Sequence, residues 1–302
     1  MSVVIAGLSI VALMSLGAAA QTLDTLPFKK KLALAKAGDE EAQFAVAEAL
    51  ANGKDVKVNK AEASKWYGKA ADQGNADAQF KLATLFHEGA PGLKKNPQRA
   101  AKLYEAAAKK DHVEAQNWLG YCYQHGLGVA QSDKTAVEWY RKAADAKLAI
   151  AENNLGLMYL SGKGVEQDYA KAFELFQRSA DQGYDWGMNN LGGLYEKGWG
   201  TEQDLAKALF LYREAAGKGN DAAQKSAKRI EPLVVKTEAN PSVQPASAAP
   251  DKPAMNQPSA AKPAADSSGG PAPLSADNPL EGKPKPPPVP EKKVKSDSSS
   301  TE

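Results

Sequence analysis

The stretch NNLGLMYLSGKGVEQDYAKAFELF, residues 153–176, returns as NNLGGLYEKGWGTEQDLAKALFLY at residues 189–212, each position recurring 36 residues later. Outward from this pair, the residue that closes each "ADQG"-like turn marks a register. Gly38, Gly74, Asp111, Lys147, Gly183 and Gly219 stand at spacings of 36, 37, 36, 36 and 36. Five copies therefore fill residues 39–219 of the 302-residue chain, and a half-copy, NDAAQKSAKRIEP, follows and stops at Pro232. Repetition at this period means that no unit buries its own apolar face and that stacked neighbours do, which is the logic of a solenoid.

Within a copy, the first segment carries an alanine or glycine, a leucine, a small residue and an aromatic at steps of four, one and three. Ala78, Leu82, Ala83 and Phe86 are followed by Ala115, Leu119, Gly120 and Tyr123, then Ala151, Leu155, Gly156 and Tyr159, then Gly187, Leu191, Gly192 and Tyr195. Those steps hold all four residues on one face of a helix. Glycine at the third place costs about 1 kcal/mol of helix propensity against alanine, so close approach of another helix is expected there. Gly53, Gly89, Gly126, Gly162 and Gly198 are expected to end the first helix. Asn59, Asn96, Ser132, Asp168 and Asp204 are expected to cap the second, with Pro97 at a first-turn position that tolerates it. The second helix carries its own stripe, as in Ala63, Trp66, Tyr67, Ala70 and Ala136, Trp139, Tyr140, Ala143.

The segment AENNLGLMYLSGKGVEQDYAKAFELFQRSADQG, with Leu-Gly, Tyr, Gly-x-Gly-Val, Asp and Lys-Ala in order, resembles a Sel-one-like repeat, a relative of the tetratricopeptide repeat with a longer loop between its helices. The resemblance covers residues 39–232. Copy one departs from it with Val46-Ala47 in place of Leu-Gly, and copy two inserts a residue in GAPGLKKNPQRA. It implies an all-α, right-handed superhelical solenoid of about five repeats plus a capping half-repeat, used as a docking surface rather than as a catalyst.

Both ends of the chain read differently. Residues 1–20 carry no charge, run apolar from Val3 to Leu16 and finish on Ala18, Ala19 and Ala20, the pattern of a signal peptide cleaved before Gln21. The alternative is an uncleaved anchor, since the run is close to the ~18 residues that can span hydrocarbon and Lys29, Lys30 and Lys31 follow it. Residues 21–38 are expected to supply an N-terminal capping helix. Residues 233–302 hold fourteen of the eighteen prolines among Ala, Ser, Lys and Asp, the composition of a disordered tail, and KPKPPPVPEKKVK, Lys283 to Lys295, is locally basic and polyproline-like. A net charge of +2 gives no reason to expect nucleic acid as a partner.

Chemistry-bearing residues are sparse. Cys122 is the only cysteine, so it cannot form an intramolecular disulfide, and its place in a helical stripe reads as packing. Of the three histidines, His87, His112 and His125, the last stands one turn after Cys122, but no fourth ligand is placed by the repeat and all three read as surface residues. The glycines of GKGVEQD lack the strand that a phosphate loop needs. A branch of the resembled family has been linked to β-lactam hydrolysis and is recognised by paired cysteines that are missing from this chain. No cofactor, metal or small-molecule substrate is therefore expected.

What remains is binding. First-helix residues off the apolar stripe include Asn117, Asn153 and Asn189 in one row and Asn154 and Asn190 in the next. Asparagine can pair with the backbone of an extended peptide, or it can join neighbouring helices, and the residues leave both readings open. Trp118, Tyr121, Trp186 and Trp199 concentrate aromatic surface in the same region, with Tyr121 and Trp186 expected to meet a partner's side chains. The expectation is a non-enzymatic protein-binding scaffold exported to the bacterial envelope, with possible membrane contact through the N-terminus or the basic tail. Its rivals are a cell-wall or glycan-processing enzyme and a membrane-anchored cytosolic adaptor.

Overall fold

The repeat frame places two helices in each copy, and a computed structural model, which describes residues 23–239, contains them all. After a 3-10 turn, Leu23–Thr25, come α1 (Phe28–Lys36), α2 (Glu40–Asn52), α3 (Lys60–Asp72) and α4 (Ala76–Glu88). Then follow α5 (Pro97–Ala108), α6 (Val113–His125), α7 (Asp133–Asp145), α8 (Ala149–Ser161), α9 (Tyr169–Asp181), α10 (Asp185–Lys197), α11 (Leu205–Gly217) and α12 (Asp221–Ala239). No strand occurs among the described residues, and the fold is an all-α helical-repeat solenoid. The expected signal peptide and residues 240–302 of the expected tail lie outside the described residues. No described helix is long and apolar enough to cross a membrane.

The chain divides into two compact units at Asn96 and Pro97. In the first, α1 packs on α2, α2 on α3 and α3 on α4. Copy two's inserted residue is absorbed here by a tight turn in which Ala90 and Leu93 exchange both backbone hydrogen bonds, at 2.9 and 2.8 Å. In the second unit each helix from α5 to α12 packs on the next.

Helix ends follow the expected chemistry. Gly53, Gly126, Gly162 and Gly198 close first helices in the left-handed conformation. The side chains of Asn59, Ser132, Asp168 and Asp204 accept from backbone amides in the first turns of α3, α7, α9 and α11. His112 departs from its surface reading. Its Nδ1 accepts from the Ala115 amide at 3.2 Å and so caps α6, the role that Asp39 and Asn75 play for α2 and α4.

The stripe glycines do mark close approach. A Cβ built on Gly156 would lie 2.7 Å from the Phe176 ring of the same copy, and the equivalent atom on Gly120 would lie 2.8 Å from the Tyr140 ring. The second glycine of each Gly-x-Gly loop serves a different joint. A Cβ on Gly164 would lie 2.3 Å from the backbone of Asp133, at the start of the preceding copy's second helix. One loop glycine thus seats one copy on the next.

The C-terminal end differs from the sequence expectation. Instead of stopping at Pro232, α12 runs through it to Ala239, because Val234 is buried with Ile230, Ala227 and Ala223 against Ala208, Leu209, Tyr212 and Ala215 of α11. Packing outweighs the one hydrogen bond that a proline removes. Lys228 and Glu231 stand where another copy would place its Gly and Tyr, so this helix presents charge where a further second helix would dock.

Candidate peptide-binding site

The first helices of copies three to five, α6, α8 and α10, carry both asparagine rows, and all five side chains are buried: Asn117, Asn153, Asn154, Asn189 and Asn190. Asn154 Nδ2 donates to Asn117 Oδ1 at 2.9 Å, and Asn190 Nδ2 donates to Asn153 Oδ1 at 2.8 Å. Each bond takes one member from each row and joins one copy to the next. The two rows therefore build one ladder of amides.

The ladder stops where its sequence stops. Copy six has Lys225 and Ser226 in place of the two asparagines, so no amide reaches Asn189 Oδ1 from that side. Asn189 Nδ2 lies 3.5 Å from Asn190 Oδ1, the outer limit of a hydrogen bond. Asn153 Nδ2, Asn154 Oδ1 and Asn189 Oδ1 are buried with no partner.

Residues three before and four after the first-row asparagine share its helix face. In α8 these are Ile150 and Leu157, and in α10 Trp186 and Gly193; Ile150, Leu157 and Trp186 are half-buried. Ile150 and Leu157 were missed by the sequence reading, although their spacing from Asn153 would have found them. The other aromatics divide. Tyr121 is buried, edge-on to Trp118 at 5.6 Å and with His125 4.3 Å from its ring, while Trp118 stacks on Tyr104 at 5.7 Å, so this pair belongs to the core. Trp199 is half-buried and stacked on Tyr169 at 5.3 Å.

Two buried carboxylates had no signal in the repeat pattern. Glu152 receives Arg178 Nη2 at 2.6 Å and Gln182 Nε2 at 2.5 Å, and Arg178 also donates to the Ala144 carbonyl of the preceding copy at 3.0 Å. Glu196 receives Arg229 Nη1 and Nη2 at 2.6 and 2.8 Å and the Tyr212 hydroxyl at 2.9 Å. Burial pushes Glu196 up, but the hydrogen bonds from Arg229 and Tyr212 and the guanidinium charge outweigh it and hold the carboxyl below its ordinary value. Both carboxylates are bonded to partners that hold neighbouring helices together.

The histidine and cysteine candidates offer no metal site. No group of three or more His, Cys, Asp or Glu side chains able to hold an ion occurs among the described residues. Cys122 is 1% exposed and burial pushes its thiol up to about 12, which suits packing and not ligation. Burial and Lys95 hold His87 below the usual histidine value.

Helical hairpins that share caps and joint glycines, stacked through a ladder of amides in copies three to five, define a repeat scaffold. The Sel1 repeat model matches residues 40–75, 76–112, 113–148, 149–184 and 187–220, and the chain belongs to the Sel1 repeat family. A Sel1 repeat protein from Oxalobacter formigenes has a solved structure that superposes with a TM-score of 0.61 at 31% identity, covering 68% of this chain and 87% of that one. A protective antigen of uropathogenic Escherichia coli with the same fold superposes at 0.62 with 32% identity, covering 67% of this chain and 43% of that one. Protein sel-1 homolog 2 of Rattus norvegicus is 44% identical over 66 residues, which are 22% of this chain and only 9% of that protein. Sel1 repeat proteins act as protein-interaction scaffolds and adaptors, mostly without catalysis.

Proposed function

We propose that this chain is a non-enzymatic scaffold of the bacterial cell envelope that binds an extended segment of another protein along the first helices of copies three to five. The observation that carries the reading is the amide ladder with its unpaired Asn153 Nδ2 and Asn189 Oδ1, flanked by the half-buried Ile150, Leu157 and Trp186. A buried amide group left without a partner costs about 1–3 kcal/mol, which a peptide backbone would recover by drawing these side chains towards the first-helix surface. Apolar side chains beside it supply anchoring area. Export is supported by the uncharged run that ends at Ala20.

The test has two arms. The full chain retains a partner from envelope extract, and calorimetry of the purified pair compares the parent with Trp186→Ala and Asn189→Ala; each is expected to weaken binding tenfold or more. Unchanged affinity in both moves the site off the first helices. Cell fractionation with N-terminal sequencing should recover mature protein beginning at Gln21, and an intact Met1 in the membrane fraction would replace export with anchoring.

A further inference from the structure

The loops of copies one and two differ in charge from those that follow. Residues 53–60, GKDVKVNK, and 89–96, GAPGLKKN, carry Lys54, Lys57, Lys60, Lys94 and Lys95 against Asp55 alone. The corresponding segments of copies three to five, 126–133, 162–169 and 198–205, carry Asp133, Glu166, Asp168, Glu202 and Asp204 against Lys163 alone. Cap chemistry accounts for part of the difference. Asn59 and Asn96 stand where Asp168 and Asp204 pair with Lys171 and Lys207 at 3.1 and 3.3 Å. None of the five lysines in the first two loops is in an ion pair among the described residues.

The two loops meet across an open joint. A Cβ on Gly92 would lie 3.3 Å from the Ala61 side chain, whereas those on Gly128, Gly164 and Gly200 would lie within 2.4 Å of the preceding copy's backbone. The residue inserted in copy two thus leaves a looser seat. A cleft of 320 Å³ opens there, lined by Val58, Asn59 and Lys60 of one loop and Gly89, Ala90 and Pro91 of the other. Val58 is 52% exposed and stands between Lys57 and Lys60.

The residue types decide the occupant. A lysine ammonium is a mobile point charge, and neither loop has the arginine fork that grips one carboxylate or phosphate. Neither loop carries an aromatic to stack on a nucleic-acid base, and Trp66, in the adjoining cleft that shares Asn59, is buried with Lys69 Nζ 4.1 Å from its ring centre. Unpaired lysines around an exposed apolar side chain match a surface on which many negative charges are spread, as on anionic lipid headgroups. Each lysine there is worth about a fivefold gain in partition, and the attraction decays within a Debye length. We propose that the loops of copies one and two dock this chain on an anionic lipid surface, with Val58 entering the headgroup layer and the lysines meeting lipid phosphates. The proposal is independent of what the first helices of copies three to five bind.

Cys122 is buried, so an environment-sensitive fluorophore attaches selectively to Val58→Cys in the full chain. Phosphatidylcholine vesicles containing phosphatidylglycerol should shift its emission to the blue, and phosphatidylcholine alone should not. Lys57→Gln combined with Lys94→Gln should raise the vesicle concentration at the midpoint about twentyfold. Lys292→Gln combined with Lys293→Gln, in the tail, should leave it in place. An equal response to the two kinds of vesicle, or a response lost with the tail variant and kept with the loop variant, would overturn the proposal. So would an equal shift with polyglutamate in place of vesicles, which would assign the loops to an acidic polypeptide.

Discussion

At Gly156, helix propensity and packing pull in opposite directions, and the geometry says which wins. Alanine there would gain about 1 kcal/mol of intrinsic propensity, but its Cβ would lie 2.7 Å from the Phe176 ring in a fully buried joint. Overpacking of that kind costs about 1–3 kcal/mol, so Gly156→Ala should lower the melting temperature. Gly217→Ala, on a helix with nothing within 4 Å of the added carbon, should leave it unchanged or raise it. Equal shifts in thermal melts would mean that the helix pair has slack. The asparagines divide in a comparable way. Asn190→Ala strands Asn153 Oδ1 and should cost about 1–3 kcal/mol in denaturant unfolding. Asn189→Ala removes an oxygen that has no partner and should be close to neutral, which makes it the cleaner probe of binding. His112→Ala belongs with the caps, at a cost of about 1 kcal/mol, and not with silent surface changes.

Among the elements, α12 has a stability with a defined pH dependence. Its Arg229 clamps Glu196 of α10, and the carboxyl is held below its ordinary value. A depressed folded-state pKa contributes stability above the unfolded value of about 4.3, and that stability is lost as pH falls through the folded value. Chain melts from pH 7 down to pH 3 should therefore fall more steeply for the parent than for Glu196→Gln, whose acid limb should be flatter. The same helix corrects the tail boundary. Truncation after Leu233 removes the buried Val234 and should lower the melting temperature, while truncation after Ala239 should do so far less. A single joint also explains paired residue types. Tyr140 and Tyr212 find Gln124 and Glu196 at 2.7 and 2.9 Å, and where copy four has Phe176 the matching place holds Leu160, both buried.

Across the whole molecule, stability is close to a sum of copies and joints, because each copy meets only its neighbours. Deletion of residues 149–184, one full period, brings copy five onto copy three with the same joint chemistry: Gly200 takes the place of Gly164 against Asp133, and Asn190 meets Asn117 in place of Asn154. The shortened chain should fold, lose helical signal in proportion to two helices, and unfold with a smaller denaturant slope, since that slope follows the surface exposed. A molten or aggregated product, detected by lost near-ultraviolet dichroism, would show that the copies are not interchangeable at their joints.

Period, helix faces, caps and the glycine at the helix contact were legible in the residues alone, because each is a local requirement repeated in successive copies and averaging over copies removes ambiguity. Four things were not. Pairing of Asn154 with Asn117 is a contact 37 residues apart whose partner depends on the angle between copies, and no single helix encodes that angle. Glu152 and Glu196 carry no signal in the repeat, because Arg178 and Arg229 stand 26 and 33 residues further on and only helix packing brings them within reach. His112 looked exposed because histidine is an uncommon cap. Pro232 looked like a terminator because the local rule against proline is strong, yet the buried face through Val234 outweighs it. Sequence determined what every copy must do within itself, and tertiary structure decided which polar groups meet between copies, since only stacking brings side chains a full period apart within hydrogen-bonding distance.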